Sequence, residues 1–208
     1  GLPDVLDLPT DRPRPHKASQ RGEWITFTMP EVLGTRIERV ARDNGATPYM
    51  VVHAALAVLL SRLSATDDIA VATPIAGRGQ RILDPLVGMF VNTLVLRTEV
   101  RSDETFAGLL DRVRAVDVEA FAHADVPFET VVEALDPVRS EAFAPLAQVT
   151  LSFDPAAAAA AADVSIAGLD ITQVQPRSVA ARDDMTVVIQ SGASRSDGDA
   201  GWFGSVVY

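Results

Sequence analysis

The sequence predicts a layered α/β fold of the α+β kind, in which one mixed β-sheet carries flanking helices. Apolar residues recur at helical spacing in separate segments, notably Leu33, Ile37, Val40 and Ala41, and later Phe106, Leu109, Leu110, Val113 and Val116. Elsewhere the period is two: Val149, Leu151 and Phe153 face one way, Gln148, Thr150 and Ser152 the other. Helices and strands are interspersed without strict βα alternation and without an internal repeat, so a mixed strand order is expected.

Residues 1–22 hold Pro3, Pro9, Pro13 and Pro15 among charges, which predicts an extended arm because proline fixes φ and moves its predecessor out of the α region. Trp24 to Met29 reads as a strand. Pro30 suits the first helical position and Asn44-Gly45 a helix end. Thr47-Pro48 repeats the start signal, and the helix that follows is apolar on most sides up to Leu60, so it belongs at the centre of the core. Ile69 to Ile75 and Val91 to Val100 read as strands, with Gly77-Arg78-Gly79 a loop between them.

A helix is predicted from Asp103 to Ala122, and a short one from Pro127 to Pro137 with Phe128 in the core. The tract Ala156 to Ala162 fits a helix or a mobile connector equally. Strands are expected near Val164–Val174, Met185–Gln190 and Trp202–Tyr208, the last two joined across an Asp197-Gly198 hairpin signal.

Composition excludes several function classes. With 208 residues, 48% hydrophobic and 22% charged, the chain has enough apolar surface for a packed core. A formal charge of −10 argues against nucleic-acid binding, which needs clustered Lys and Arg to replace counterions. Without cysteine there is no disulfide framework, thiolate nucleophile or Cys-ligated zinc. His16, His53 and His123 are too widely separated to suggest a metal site or His-based catalysis within this chain. The longest nearly unbroken apolar run, Tyr49 to Leu60, falls short of the roughly 20 residues that cross a bilayer, so no membrane partner is expected.

Several polar residues carry two readings. His123-Ala124-Asp125 is either a polar pair at a cleft or a turn in which Asp125 sits near the open amides of the next helix. His53 reads as a core histidine. Asn92, a short amide in a β-branched strand, either bonds neighbouring backbone or lines a wet cavity; unpartnered burial would cost roughly 1–3 kcal/mol. Arg78 and Arg81 are solvated charges or anion-positioning groups at a channel mouth.

Val87-Gly88-Met89-Phe90-Val91-Asn92-Thr93 to Arg97 resembles the [IV]GxFVNT…R motif of condensation domains of nonribosomal peptide synthetases. Further matches follow in family order. Leu8 to Pro15 resembles the arm before the second half of these domains, and Asp68 to Arg78 the strand ending in P-x-A-G-R. His123 to Glu129 resembles HQD[VY]PFE with Ala124 for Gln, and Arg139 to Leu146 a degraded RDxSRNPL, with Phe143 and Ala144 as departures. Val179 to Thr186 is similar to the late A-K-F-D-L-T segment, with Asp183 at the Phe position, which suggests local exposure or an altered interface between lobes.

The resemblance implies a single chloramphenicol acetyltransferase-like lobe: residues 1–22 as an inter-lobe arm and 23–208 as the C-terminal lobe, without the first lobe and the closing helix. The family's HHxxxDG motif belongs to the first lobe and is absent here, so this chain is expected to be inactive alone, with no catalytic or metal-binding residue. Asn92, Thr93 and Arg78 are implied as substrate-channel or floor residues, and His123, Asp125 and Arg139 as structural polar residues near the cleft. Implied partners are the first lobe and donor and acceptor carrier domains, whose phosphopantetheine arms deliver the substrates; no cofactor binds directly. A cytoplasmic setting and self-association of the isolated lobe complete the expectation.

Overall fold

The computed structural model describes residues 2–77, 81–83, 85–154, 179–194 and 200–208. Chain order is β1 (Arg21–Gly22), β2 (Trp24–Pro30), α1 (Glu31–Asp43), α2 (Pro48–Ser64), β3 (Asp68–Ala76), a 3-10 turn (Arg81–Leu83) and β4 (Val91–Glu99). Then come α3 (Phe106–Ala122), α4 (Phe128–Leu135), β5 (Val149–Asp154), β6 (Val179–Ala180), β7 (Met185–Ser194) and β8 (Ala200–Val207). A six-stranded sheet is ordered β2-β8-β7-β5-β3-β4, and β1 pairs β6. The large sheet is mixed as expected: β3, β5 and β7 run parallel, whereas β3–β4, β7–β8 and β2–β8 are antiparallel.

Strand parity decides which face is covered. Ile69 and Val71 of β3, Val149 and Leu151 of β5, Ile189 of β7 and Trp202 of β8 form one core with Leu56, Ala57 and Leu60 of α2. Fully burying each Val, Leu or Ile side chain of this core contributes about 1.5–3 kcal/mol. The other side of α2 meets α1 and α3 through Ala41, Met50, Val51, Ala54, Leu109, Leu110 and Val113. An apolar helix belongs at this centre because it is sandwiched on two sides. Its start is built from Thr47, whose Oγ1 accepts from the Met50 N–H at 3.3 Å, with Pro48 in the first turn.

The opposite face of the sheet carries no helix among the described residues. Its edge is covered by the amino-terminal arm, where Leu2 packs on Ala70, Ala72 and Ala147. Gln148 holds this arm: its Oε1 accepts from Leu6 N–H at 2.8 Å, and its amide donates to the carbonyls of Asp4 and Ala144 at 3.2 and 2.8 Å. Farther along, Arg14 forks onto both carboxylate oxygens of Asp184, donates to the Ala142 carbonyl and stands 5.9 Å over the Phe143 ring.

Some expectations need correction. The helix expected from Asp103 begins at Phe106, because the Thr105 side chain accepts from the Gly108 N–H at 3.2 Å and caps it there. Pro30 is the last residue of β2, paired with Gly201, and α1 starts one residue later. Phe128 is only half-buried, and α4 has no buried residue at all. The tract 156–162, the strand expected at 164–174 and Asp197-Gly198 lie outside the described residues, although the flanking β7 and β8 pair antiparallel. No single helix among the described residues is long and apolar enough to cross a membrane; α1 and α2 reach that length only together, across a 103° bend.

Candidate functional site

The parity that buries Leu94 and Leu96 toward the helices turns Thr93 and Val95 of β4 to the helix-free face. Cross-strand pairing continues that face through Thr150 and Ser152 of β5 and Thr186 and Val188 of β7, all half-buried. The result is a sheet surface of hydroxyls and small side chains. Such a surface donates and accepts hydrogen bonds at many points while leaving room for an extended ligand. The Asp183 carboxylate stands among these hydroxyls: Oδ2 accepts from Thr150 Oγ1 at 2.7 Å and from Thr186 Oγ1 at 3.4 Å.

Asn92 has the opposite parity to Thr93, and its amide is fully used. Nδ2 donates to the carbonyls of Ala124 and Val126 at 3.0 and 2.8 Å, and Oδ1 accepts from the Phe128 N–H at 3.1 Å. That last bond takes one of the open amides at the α4 amino terminus, the place one of the two sequence readings gave to Asp125. Pro127 occupies the cap position without a side-chain cap bond, so Asn92 supplies from another strand what the local sequence lacks. The two motif segments, 87–97 and 123–129, thereby become one unit.

The other anticipated residues are placed as follows. Arg78 lies outside the described residues. His123 ends α3 with its backbone N–H bonded to Ala120, while its side chain is exposed; Asp125 is exposed as well, and no hydrogen bond or ion pair joins the two. Arg139 is exposed at the start of the segment that leads to Ala142 and Phe143 beneath Arg14. Among the described residues, no group of three or more His, Asp or Glu side chains is arranged to hold a metal.

The condensation-domain family pattern matches residues 1–191. This chain belongs to the condensation-domain family. It is 41% identical over 208 residues to the isonitrile lipopeptide synthase of Mycobacterium tuberculosis, covering 100% of this chain and 8% of that protein. It is 45% identical over 152 residues to phosphinothricin tripeptide synthetase PhsB of Streptomyces viridochromogenes, 73% of this chain and 13% of that one. The chain thus spans a small part of the curated relatives it matches. Among solved structures, the X-domain from teicoplanin biosynthesis superposes with a TM-score of 0.87 at 29% identity, over 100% of this chain and 46% of that chain. The four-domain nonribosomal peptide synthetase AB3403 shares the fold, with a TM-score of 0.82 at 24% identity over 100% of this chain and 16% of that one.

Two features of this condensation-domain chain escape sequence reading. His53 and Asp117 are both fully buried and face each other, with Nδ1 3.0 and 3.2 Å from the two carboxylate oxygens. Nε2 of His53 has no partner, so this core histidine is satisfied on one side only. Tyr49 stacks nearby at 6.0 Å between ring centroids. Burial pushes its phenol pKa well up, opposed by the neighbouring Thr73 hydroxyl, which approaches without reaching hydrogen-bond geometry. The only sequence signal for this pair was a polar residue on each of two apolar helix faces.

The second feature is an open cleft of about 740 Å³ at the far end of β4, lined by Asp68, Arg97, Thr98, Glu99 and Arg112. Its arginines are already engaged. Arg97 binds Asp68 through two bonds of 2.8 and 2.6 Å, Arg101 donates to Glu99 at 2.9 Å, and Arg112 donates to Glu104 and to the Glu99 carbonyl. That end is a structural ion-pair network.

Proposed function

We propose that this chain is the C-terminal lobe of a condensation domain and forms one wall of the chamber where a carrier-bound amine meets a carrier-bound thioester. The observation that carries the reading is the helix-free, hydroxyl-lined sheet face. A lobe with one face packed by helices and the other set with Thr93, Thr150, Ser152 and Thr186 is shaped to border something on that side. In the reaction, the acceptor nitrogen attacks the donor carbonyl, the C–S bond breaks, and the proton lost by the amine balances the thiolate released. Holding both reactants on phosphopantetheine arms in one chamber makes the encounter effectively intramolecular.

The chain's own part is positional. Thr93 borders the chamber, and Asn92 holds the 123–128 turn behind it; His123, Asp125 and Arg139 frame the neighbouring surface. No histidine here begins an H-x-x-x-D sequence, so the proton-handling group belongs to the first lobe, and this chain alone is inactive. Ile82, Val87 and Met89 before β4, Leu135 at the end of α4 and Val138 just after it stay exposed and are assigned to contacts with the first lobe and carrier domains. Left alone, the same surfaces drive self-association.

Hydroxyl-radical footprinting tests the reading. Adding a first lobe that carries HHxxxDG is expected to protect Val95 and Val188, and to leave Leu59 and Leu63 on the outer side of α2 unchanged. Protection of Leu59 and Leu63 with Val95 and Val188 still reactive would refute it.

A further inference from the structure

Asp183 stands where the resembled A-K-F-D-L-T segment carries an aromatic residue, and its surroundings make it more than a surface charge. Thr150 and Thr186 donate to Oδ2 from the helix-free face, so the carboxylate is aimed onto that face and half-buried there. Its neighbour Asp184 is neutralised by Arg14, whereas Asp183 has no cationic partner among the described residues. Arg182 is exposed and makes no ion pair with another described residue, and Arg97, the basic residue of that face on the edge strand, is bound by Asp68. Two hydroxyl donors orient a half-buried carboxylate without cancelling its charge. Its best complement is a cation delivered from outside the lobe.

We infer that Asp183 is a specificity-determining residue, selecting an aminoacyl substrate whose side chain ends in a protonated amine. The inference rests on the helix-free face being the substrate wall. Oδ2 is held by the threonines, and Oδ1 remains to accept from the ammonium; an apolar side chain of the same length leaves the carboxylate desolvated and unpaired. Discrimination therefore comes from both attraction and penalty.

The test uses the 208-residue chain and two probes, pantetheine amides of lysine and of norleucine, in which nitrogen replaces the thioester sulfur. Titrations followed by amide and methyl NMR shifts are expected to show both probes on the helix-free face, at Thr93 and Val188. The lysyl probe should bind about tenfold tighter, with added shifts at Thr150 and Thr186. In Asp183→Asn that advantage disappears, and Asp183→Glu restores part of it. Equal affinities with shifts on the face overturn the role of Asp183 and leave the wall reading standing. Shifts by neither probe on that face overturn both.

Discussion

Asn92 and Phe128 are 36 residues apart in sequence, yet the Phe128 backbone N–H donates to Asn92 Oδ1 at 3.1 Å and begins α4 there. The same side chain also donates to the Ala124 and Val126 carbonyls. Asn92→Ala therefore leaves one donor and two acceptors in a part-buried turn without their partner, at a cost of about 1–3 kcal/mol. Urea unfolding is expected to show that loss, and hydrogen exchange should quicken in α4 before it does in α2. Asn92→Asp keeps the acceptor for Phe128 but sets a carboxylate against two carbonyls, so Ala124 and Val126 should lose their order in that variant too.

The buried pair of His53 and Asp117 makes a different prediction. Asp117→Ala strands a fully buried imidazole and costs about 3 kcal/mol. Replacing both partners by leucine recovers most of that loss, because two apolar groups of similar volume leave nothing unsatisfied. A double-mutant cycle read by thermal unfolding checks this; additive losses in the double variant would show that the two residues do not act as a pair.

Gly34 places α1 directly on Trp202. A Cβ built at Gly34 would stand 2.7 Å from both Cδ1 and Nε1 of the indole, which is itself buried against α2 and β5. Gly34→Ala gains about 1 kcal/mol of helix propensity. The clash outweighs it, costing about 1–3 kcal/mol as helix and ring move apart. Lower stability with a red-shifted tryptophan emission is the expected result.

Acid should act through Asp68. The two hydrogen bonds from Arg97 hold its carboxyl below the ordinary carboxylate range, against the opposing effect of burial. A carboxyl whose folded pKa lies below its unfolded one stabilises at neutral pH. That contribution is lost as pH falls through the ordinary carboxylate range to the lower folded value. Because the Arg97 side is half exposed and solvent screens the pair, it amounts to about 1 kcal/mol or less and shrinks in salt. Asp68→Asn is expected to flatten the acid limb of the stability curve by that amount and to leave the slope above pH 7 unchanged.

What the sequence made legible was local. The Thr47-Pro48 start of α2, the period of β4 and β5 and the mixed character of the sheet all follow from neighbours within a few residues. The partners of Asn92, the Asp117 opposite His53 and the Arg14–Asp184 fork were hidden, because each joins elements 32 to 170 residues apart. The burial of Phe128 was misjudged for a related reason. An amphipathic helix announces an apolar face, and only tertiary structure says whether anything in the same chain covers it.

Dipeptide formation from aminoacylated donor and acceptor carrier domains measures the division of labour between lobes. The 208-residue chain alone is expected to give no product above the uncatalysed background, and the chain paired with a first lobe bearing HHxxxDG is expected to turn over. Turnover by the chain alone would place the reacting groups within these residues and contradict the account.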